Sequence, residues 1–291
     1  MATGMIRIYV ILKIALIFLA LSVYSMLGYG SIKNENINVA VASNFLSTAK
    51  ELKLAFENKT PYLINIITAS TGQLSHQILN GAPFDVFLSA NKQHPEFLLD
   101  KLKLNSKNLF LYAQGSLVLI SRNPVNNFPD FSDSLKDTHK AYTKLERDII
   151  SQIITQANKV AIANSKLAPY GRATIEALTS LNLIESMKNK TVTGQNIAQT
   201  HQFFTSGSAE AAFIANSQFA SLNLQNKDFS NKIKSIIPIS NKLHKPIEQW
   251  GLRLTETAAA QAFIKFLSEP VAIKIITDNG YIVINDDPKK L

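Results

Sequence analysis

The stretch Val39-Ala40-Val41-Ala42-Ser43-Asn44-Phe45 decides the fold, because it joins a short β-rich run to the start of a helical pattern. Apolar residues recur with helical spacing from Phe45 to Phe56, and Ser43 stands where an N-cap would stand. A helix start carries unpaired backbone N–H groups and the positive end of the helix dipole, and both favour an anion. The stretch therefore predicts a strand, a tight turn and a helix start that can hold an anionic ligand.

Three later stretches repeat this pattern. Strands alternating with helices indicate parallel sheets, which bind ligands at the carboxyl ends of their strands. We therefore expect all four junctions to meet at one place. The later junctions are Ala69-Ser70-Thr71-Gly72 after a strand at 62–68, Ala168-Pro169-Tyr170-Gly171 after a strand at 160–164, and Gly194-Gln195-Asn196-Ile197 after an extended segment at 187–192.

The first helical turns at these junctions contain no Asp or Glu, although helix starts usually favour acidic residues. An acid-free start leaves its N–H groups to an external anion. In a chain with only 21 acidic residues out of 291, however, this absence is weak evidence by itself.

The first 30 residues predict export from the cytoplasm. They contain Arg7, Lys13 and no acidic residue, with a long apolar run from Ile14 to Met26. Small residues in Gly28-Tyr29-Gly30 suit a signal peptidase, so residues 1–30 are predicted to be a signal peptide and the protein to be periplasmic. An uncleaved membrane anchor is the alternative, since the apolar run is near the length that spans a bilayer.

Length and composition predict a two-lobed α/β protein that is held together by packing. The chain has 291 residues and no cysteine, which excludes disulfides and thiolate metal sites. Its net charge of +9 is scattered, without the Lys/Arg blocks of nucleic-acid binders. Strands at Gly115 to Ser121 and Gly251 to Leu254 are predicted to cross between the lobes as a hinge. The predicted ranges are 31–120 and 247–285 for the first lobe, 121–246 for the second, and 286–291 for a tail.

With these junctions quoted, the chain resembles the periplasmic molybdate-binding proteins of ABC importers. The resemblance spans nearly all of residues 37 to 284. Each motif is weak by itself, but the order and spacing of the motifs are specific to this family. It implies a type II periplasmic binding fold, in which each lobe is a mainly parallel sheet flanked by helices. The matching stretches are Ala42-Ser43, Ala69 to Gly72, Gly81 to Ala90, Ala168 to Gly171, Gly194 to Ile197, and Phe266 to Gly280.

The resemblance also implies a binding site without catalysis. Molybdate or tungstate would be held through its oxygens, by Ser43 and Thr71 through hydroxyl and N–H, and by Tyr170 and Ile197 through backbone N–H. No protein atom would bind the metal directly, and no cofactor is implied. The expected partner is the membrane permease of an importer, with no nucleic acid, and the protein is expected to be a monomer. Further candidates near the site are Ser70, Gly72, Gly171, Asn196 and Ala215.

Ala215 marks a departure from the family, because some members have a Tyr hydroxyl there that completes the site. The replacement donor stays open at this stage. The candidates are the amides of Asn196 and Asn216, the Tyr170 hydroxyl, an ordered water, and the backbone N–H groups of Gly72 and Gly171.

Two other functions compete with this interpretation. A receptor for sulfate, phosphate or a small organic acid would use the same fold. Molybdate and tungstate are fully deprotonated near neutral pH and suit a site of donors alone, whereas monohydrogen phosphate also needs an acceptor. An exported hydrolase with Ser43 as nucleophile is disfavoured, because Ala42-Ser43-Asn44 lacks the Gly-x-Ser-x-Gly elbow and no histidine has a recognisable catalytic setting.

Overall fold

Two five-stranded sheets, each with helices packed against it, form the body of the protein. The computed structural model describes residues 35–125, 139–225 and 231–283. The strand order is β2-β1-β3-β10-β4 in the first sheet and β7-β6-β8-β5-β9 in the second. The predicted signal peptide (1–30) and the tail (286–291) lie outside the described residues. The predicted lobe boundaries stay a prediction.

The elements alternate as the sequence predicts. The first lobe, as the term is used below, is the first sheet with α1–α3, α8 and α9, and the second lobe is the second sheet with α4–α7. The elements are β1 Asn36–Ala42, α1 Leu46–Glu57, β2 Leu63–Ala69, α2 Thr71–Leu79, β3 Val86–Ser89, α3 Gln93–Lys101, β4 Leu109–Gly115, β5 Leu117–Ser121, α4 His139–Gln156, β6 Val160–Ala163, α5 Pro169–Ser180, β7 Thr191–Gly194, α6 Ile197–Thr205, β8 Ala211–Ala215, α7 Asn216–Gln225, β9 Ser235–Pro238, β10 Ile247–Arg253, α8 Ala258–Leu267 and α9 Pro270–Asp278.

β1 is buried on both faces, as its short apolar run predicts. Val39 and Val41 face a core cluster with α1 and α8, whereas Ala40 points to the opposite cluster with Leu74 of α2. This alternation follows from the two-residue period of a strand. Helices therefore cover both faces of the sheet, and only the strand ends stay open to a ligand, as in other sheets of this kind.

Each sheet contains one reversed strand, and that strand arrives from the other half of the chain. β1 pairs in parallel with β2 and β3, but β10 runs antiparallel to both β3 and β4. In the second sheet β6 pairs in parallel with β7 and β8, and β5 runs antiparallel to both β8 and β9. Because β5 follows β4 and β10 follows β9, the two crossings tie the lobes together.

The first crossing is shorter than predicted. The sequence predicts one strand from Gly115 to Ser121, but β4 ends at Gly115 and β5 begins at Leu117, with Ser116 between them. β4 itself, Leu109–Gly115, was not predicted. The second crossing lies in residues 239–246, ahead of β10, and β10 begins four residues before the predicted Gly251.

The local structure at Ser43 also differs from the prediction. Ser43–Phe45 forms a 3-10 turn whose N-cap is Ala42, and α1 begins at Leu46 without a side-chain cap. The prediction that Ser43 is an N-cap is therefore wrong. A tight 3-10 turn takes the place of the first α-helical turn and leaves the Ser43 hydroxyl uncommitted to capping.

No helix among the described residues is long and apolar enough to cross a membrane. The described residues also hold no group of three or more His, Cys, Asp or Glu side chains arranged to bind a metal ion.

His201 on α6 gives the fold a testable pH dependence. Burial lowers its pKa from 6.5 to about 4. The His201 imidazole is thus neutral in the folded protein, whereas in the unfolded chain it takes up a proton more readily. The contribution of His201 to stability is therefore lost as pH falls below 6.5. Between pH 8 and pH 5 this loss is about 2 kcal/mol.

We expect His201→Gln to remove that part of the pH dependence in denaturant unfolding at pH 8 and pH 5. The gap in the free energy of unfolding between wild type and variant should be about 2 kcal/mol smaller at pH 5 than at pH 8. His76→Gln, at an exposed position, is the control and should follow the wild type. An unchanged gap at the two pH values would contradict the prediction.

Candidate ligand-binding site

The predicted junctions converge where the two lobes meet. Residues from the first, third and fourth junctions belong to one continuous buried cluster. Ala90 also belongs to this cluster, and its N–H is hydrogen-bonded to Thr71 of the second junction. The turn Ser43–Phe45 also lies against α6 and α7 of the second lobe. The cluster members at this place are Ala42, Ala90, Ala168, Tyr170, Ile197 and Ala215.

Ser43 lies at this meeting point with a nearly buried side chain, 7% exposed. Its hydroxyl makes no hydrogen bond with any of the described residues, in contrast to most buried hydroxyls. The following residue, Asn44, is held from both lobes (below). Ser43 is thus a fixed residue with an uncommitted hydroxyl, which suits a ligand donor.

Thr71 is 1% exposed, and its hydroxyl oxygen accepts a hydrogen bond from the Ala90 N–H at 3.1 Å. Since the oxygen is used as an acceptor, the hydroxyl hydrogen stays free to donate. Ser70, in contrast, is the N-cap of α2 and forms a capping box with Gln73. Its side chain stabilises the helix start, so the structure gives Ser70 a structural role.

Tyr170 and Gly171 lie in the first turn of α5, whose N-cap Ala168 has no capping side chain. The first backbone N–H groups of a helix have no partner within the helix. Gly171 allows α5 to approach the end of β6 very closely, since a Cβ there would lie 2.3 Å from the Ala163 carbonyl oxygen. The position of these N–H donors therefore depends on a residue without a side chain.

Ile197 is the first residue of α6, and its N-cap Asn196 accepts a hydrogen bond from the Gln199 N–H at 2.9 Å. The Gln218 side chain then accepts from the Ala215 N–H at 3.1 Å and donates to the Ile197 carbonyl at 3.1 Å. Gln218 thus ties the end of β8 to the start of α6. The side-chain oxygen of Asn196 and the Ala215 N–H are already engaged within the protein, whereas the hydrogens of the Asn196 amide stay available to a ligand.

Other candidates for the replacement donor are engaged as well. The Gly72 N–H donates to the Leu167 carbonyl of the other lobe at 3.0 Å. The Asn216 amide donates to the Gly280 carbonyl at 3.3 Å. Ala215 itself is fully buried against Leu117 of the neighbouring strand. Of the protein groups proposed, the structure leaves the backbone N–H of Gly171, the hydroxyl of Tyr170 and the amide hydrogens of Asn196.

The Tyr170 hydroxyl is buried at the first crossing, where a Cβ on Gly115 would lie 2.0 Å from it. It makes no hydrogen bond of ordinary geometry with the described residues. Burial, and then the nearby hydroxyls of Tyr281 and Tyr112, raise the pKa of Tyr170 well above its usual value. The hydroxyl therefore stays protonated and neutral.

The lobes are in contact at the rim of this site. Arg172 of α5 donates to the Gln93 side chain of α3 at 2.7 Å, next to the Gly72 to Leu167 bond. Nearby His94 has a lowered pKa, because of burial first and then the positive charges of Arg172 and His76. A cavity of about 120 Å³ lies at this rim, with Arg172 and Lys245 among its lining residues.

The acid-free helix starts do not distinguish this site. Among the described α-helices, only α3 has an acidic residue in its first turn, Glu96. The same pattern appears at α8 and α9, which lie outside the site. The sequence pattern therefore reflects the low acidic content of the chain.

Sequence reasoning missed Asn44, Gln218 and Tyr281, which hold the junctions in place. Asn44 and Tyr281 bond partners far away in the chain, whereas Gln218 joins a residue three positions away to one 21 positions away. The Asn44 amide donates to Gln249 at 2.8 Å and to Tyr281 at 2.9 Å, across sequence separations of 205 and 237 residues. No local pattern could reveal such pairs.

Comparison with known proteins places this geometry in a family. A model of bacterial extracellular solute-binding proteins matches residues 37–282. The molybdate-binding protein ModA of Rhodobacter capsulatus is 35% identical over 246 residues, covering 84% of this chain and 86% of that protein. The chain belongs to this family of solute-binding proteins.

Two further relatives of the family extend the comparison. ModA of Azotobacter vinelandii is 35% identical over 248 residues, covering 84% of this chain and 89% of that protein. The solved structure of the periplasmic molybdate-binding protein of Azotobacter vinelandii matches with a TM-score of 0.69 and 28% identity, covering 86% of this chain and all of that one. The two-lobed fold predicted from the sequence is confirmed.

Gly171→Ala tests the dependence of the site on close packing at α5. The added Cβ meets the backbone of Ala163, which cannot rotate away, so the start of α5 must move outward. We expect a loss of about 1–3 kcal/mol in the free energy of unfolding, measured by denaturant titration. Ala173→Gly, on the same helix, removes a side chain without adding one and is expected to leave α5 in place. Stability of Gly171→Ala at the wild-type level would contradict the prediction.

Proposed function

We propose that the protein is a periplasmic solute-binding protein that captures molybdate or tungstate between its lobes and delivers it to an ABC importer. The observation that carries the proposal is a buried meeting point of helix starts and hydroxyls, in a chain of this family. The relatives with 35% identity are molybdate-binding proteins by name. The protein acts as a carrier and performs no catalysis.

Neutral donors suit a dianion that must be desolvated. Burying a charge is costly unless hydrogen bonds replace its hydration, and such charge-assisted bonds are stronger than neutral ones. The proposed donors are the hydroxyls of Ser43 and Thr71 and the backbone N–H groups of Ser43, Thr71, Tyr170 and Ile197. The Gly171 N–H is the proposed replacement for the donor absent at Ala215.

The metal is the cargo, held only through its oxygens. We propose that no protein atom coordinates molybdenum or tungsten and that no cofactor takes part. The partner is the membrane permease of the importer, which receives the oxyanion from a monomeric binding protein. The N-terminal signal peptide, residues 1–30, would direct the protein to the periplasm.

The other candidate functions have less support. A hydrolase would need a base beside Ser43, and among the described residues its hydroxyl is hydrogen-bonded to neither a histidine nor a carboxylate. A phosphate receptor would need an acceptor for the proton of monohydrogen phosphate. Sulfate has no such proton, so size selection by the closed cleft must exclude it.

A thermal-shift panel on the purified protein tests the proposal directly. A ligand at about 100 times its dissociation constant stabilises a fold by about 2.7 kcal/mol. We therefore expect molybdate and tungstate to raise the melting temperature. Sulfate, phosphate and sodium chloride at the same ionic strength are the controls. Equal shifts with molybdate and sodium chloride would refute oxyanion capture, and a larger shift with sulfate would favour the sulfate receptor.

Ser43→Ala tests the proposed hydroxyl donor. Losing a hydrogen bond to a charged group is expected to cost about 1.5–3 kcal/mol, which weakens molybdate binding roughly ten- to a hundredfold in calorimetric titration. Ser121→Ala makes the same change at a buried serine at the far end of β5 and should keep the wild-type affinity. If Ser43→Ala also binds like the wild type, the Ser43 hydroxyl is not a ligand donor.

A further inference from the structure

A buried hydroxyl near the C-terminal end of the described chain joins the two lobes behind the proposed site. The Tyr281 hydroxyl donates to the backbone carbonyl of Asn44 at 2.9 Å and accepts from the side-chain amide of Asn44 at 2.9 Å. It also lies 3.0 Å from the Ser217 hydroxyl of α7, in the second lobe. One side chain thus contacts the first junction and the opposite lobe.

Asn44 is the residue on which these contacts converge. Its carbonyl accepts from Tyr281 and also from the Ser217 hydroxyl at 3.0 Å. The side-chain amide of Asn44 donates its second hydrogen to the Gln249 side chain of β10 at 2.8 Å. Since Asn44 directly follows Ser43, these bonds fix the turn that presents the proposed ligand hydroxyl.

The chain is built to bring Tyr281 to this position. Gly280 has a φ of +79°, a left-handed conformation that lets the chain leave α9 sharply. Ile282 then exchanges two backbone hydrogen bonds with Gln114 of β4, at 2.7 and 2.9 Å. The ring of Tyr281 packs edge-on against Phe45, with centroids 5.1 Å apart. Backbone and ring therefore hold the hydroxyl independently of its own hydrogen bonds.

The Tyr281 hydroxyl has one hydrogen and is hydrogen-bonded to two acceptors, the Asn44 backbone carbonyl and the Ser217 hydroxyl, with the Tyr170 hydroxyl also nearby. Burial raises the pKa of Tyr281, so the hydroxyl stays protonated. Its hydrogen goes either to the Asn44 carbonyl or to the Ser217 hydroxyl, and Ser217 in turn can donate to the Asn44 carbonyl or to Tyr281. The bonds of Ser217 to the Asn44 backbone carbonyl and to Tyr281 form only while the lobes are together, because Ser217 belongs to the second lobe and Asn44 to the first.

We propose that Tyr281 is a positioning residue, which couples the Ser43 turn to lobe closure through Asn44 and Ser217 and thereby sets oxyanion affinity. Tyr281 does not touch the ligand. The inference rests on the proposed function, since the effect is measured as molybdate affinity. It assigns a part in binding to a residue that lies far from the four junctions in the sequence.

Tyr281→Phe is the principal test, because it keeps the ring against Phe45 and removes only the hydroxyl. We expect molybdate binding about tenfold weaker in calorimetry, with a smaller ligand-induced decrease in radius of gyration by small-angle scattering. Tyr112→Phe is the matched control. It removes another buried hydroxyl next to Phe45, whose one hydrogen bond to the described residues is long, at 3.4 Å to the Ser89 carbonyl. A purely structural role would lower the melting temperature of both variants and leave their affinities and compaction alike.

A double-mutant cycle with Ser217→Ala separates coupling from independent effects. If both hydroxyls act through the Asn44 carbonyl, the double variant should bind about as weakly as Tyr281→Phe alone. Should Tyr281→Phe fail to fold, Ser217→Ala decides the matter through its own loss of affinity and compaction.

The outcomes separate this inference from the proposed function. Wild-type protein that binds molybdate, with Tyr281→Phe or Ser217→Ala within twofold of it, overturns the positioning role and leaves oxyanion capture intact. Strictly additive losses in the double variant overturn the coupling. Wild-type protein that binds no oxyanion overturns the proposed function, and the positioning role with it.

Discussion

The exchange of one strand between the two halves of the chain is the constraint on which the structure depends. β5 enters the second sheet directly after β4, and β10 enters the first sheet after the second has been built. Each exchanged strand runs against its neighbours and is hydrogen-bonded on both sides. The lobes are therefore tied together by two crossings, Ser116 and residues 239–246, and each crossing leads into a strand that is hydrogen-bonded on both sides. Single polar contacts such as that of Arg172 with Gln93 also join the lobes, beside the second crossing at Lys245.

Under the proposed function, this arrangement lets a site of neutral donors hold an anion. Each helix start contributes only partial charges, and these matter only if they point at the same atoms in a space without water. The junctions are held for that purpose by groups that cannot easily move: the Gly171 contact with β6, the Gln218 bridge, and the capping box of Ser70. Preorganised dipoles of this kind replace hydration without reorganising at the moment of binding.

The sequence predicted those features that depend on local pattern. Alternating strands and helices, the four junctions and the two-lobed fold follow from short-range periodicity and from motifs in order. The prediction of Ser43 as an N-cap was wrong, because a strand followed by a polar residue fits a 3-10 turn as well as a capped helix. β4 was missed because its polar Gln114 and its small residues weaken the strand pattern of Leu109–Gly115. The contacts of Asn44 with Gln249 and Tyr281 were out of reach, since polar pairs separated by more than 200 residues leave no periodic signal.

The place of β10 has a consequence for the order of assembly. β3 and β4 are not paired with each other; both are paired with β10, so the first sheet has a gap until residues 247–253 arrive. A chain that appears N-terminus first must therefore keep β4 without its sheet partner while the whole second lobe is made, and pairings this distant in sequence form slowly. An unpaired strand edge is the part of a nascent protein most open to aggregation. The lobe that begins first is thus completed last, and until then its open edge needs protection that the finished fold no longer requires.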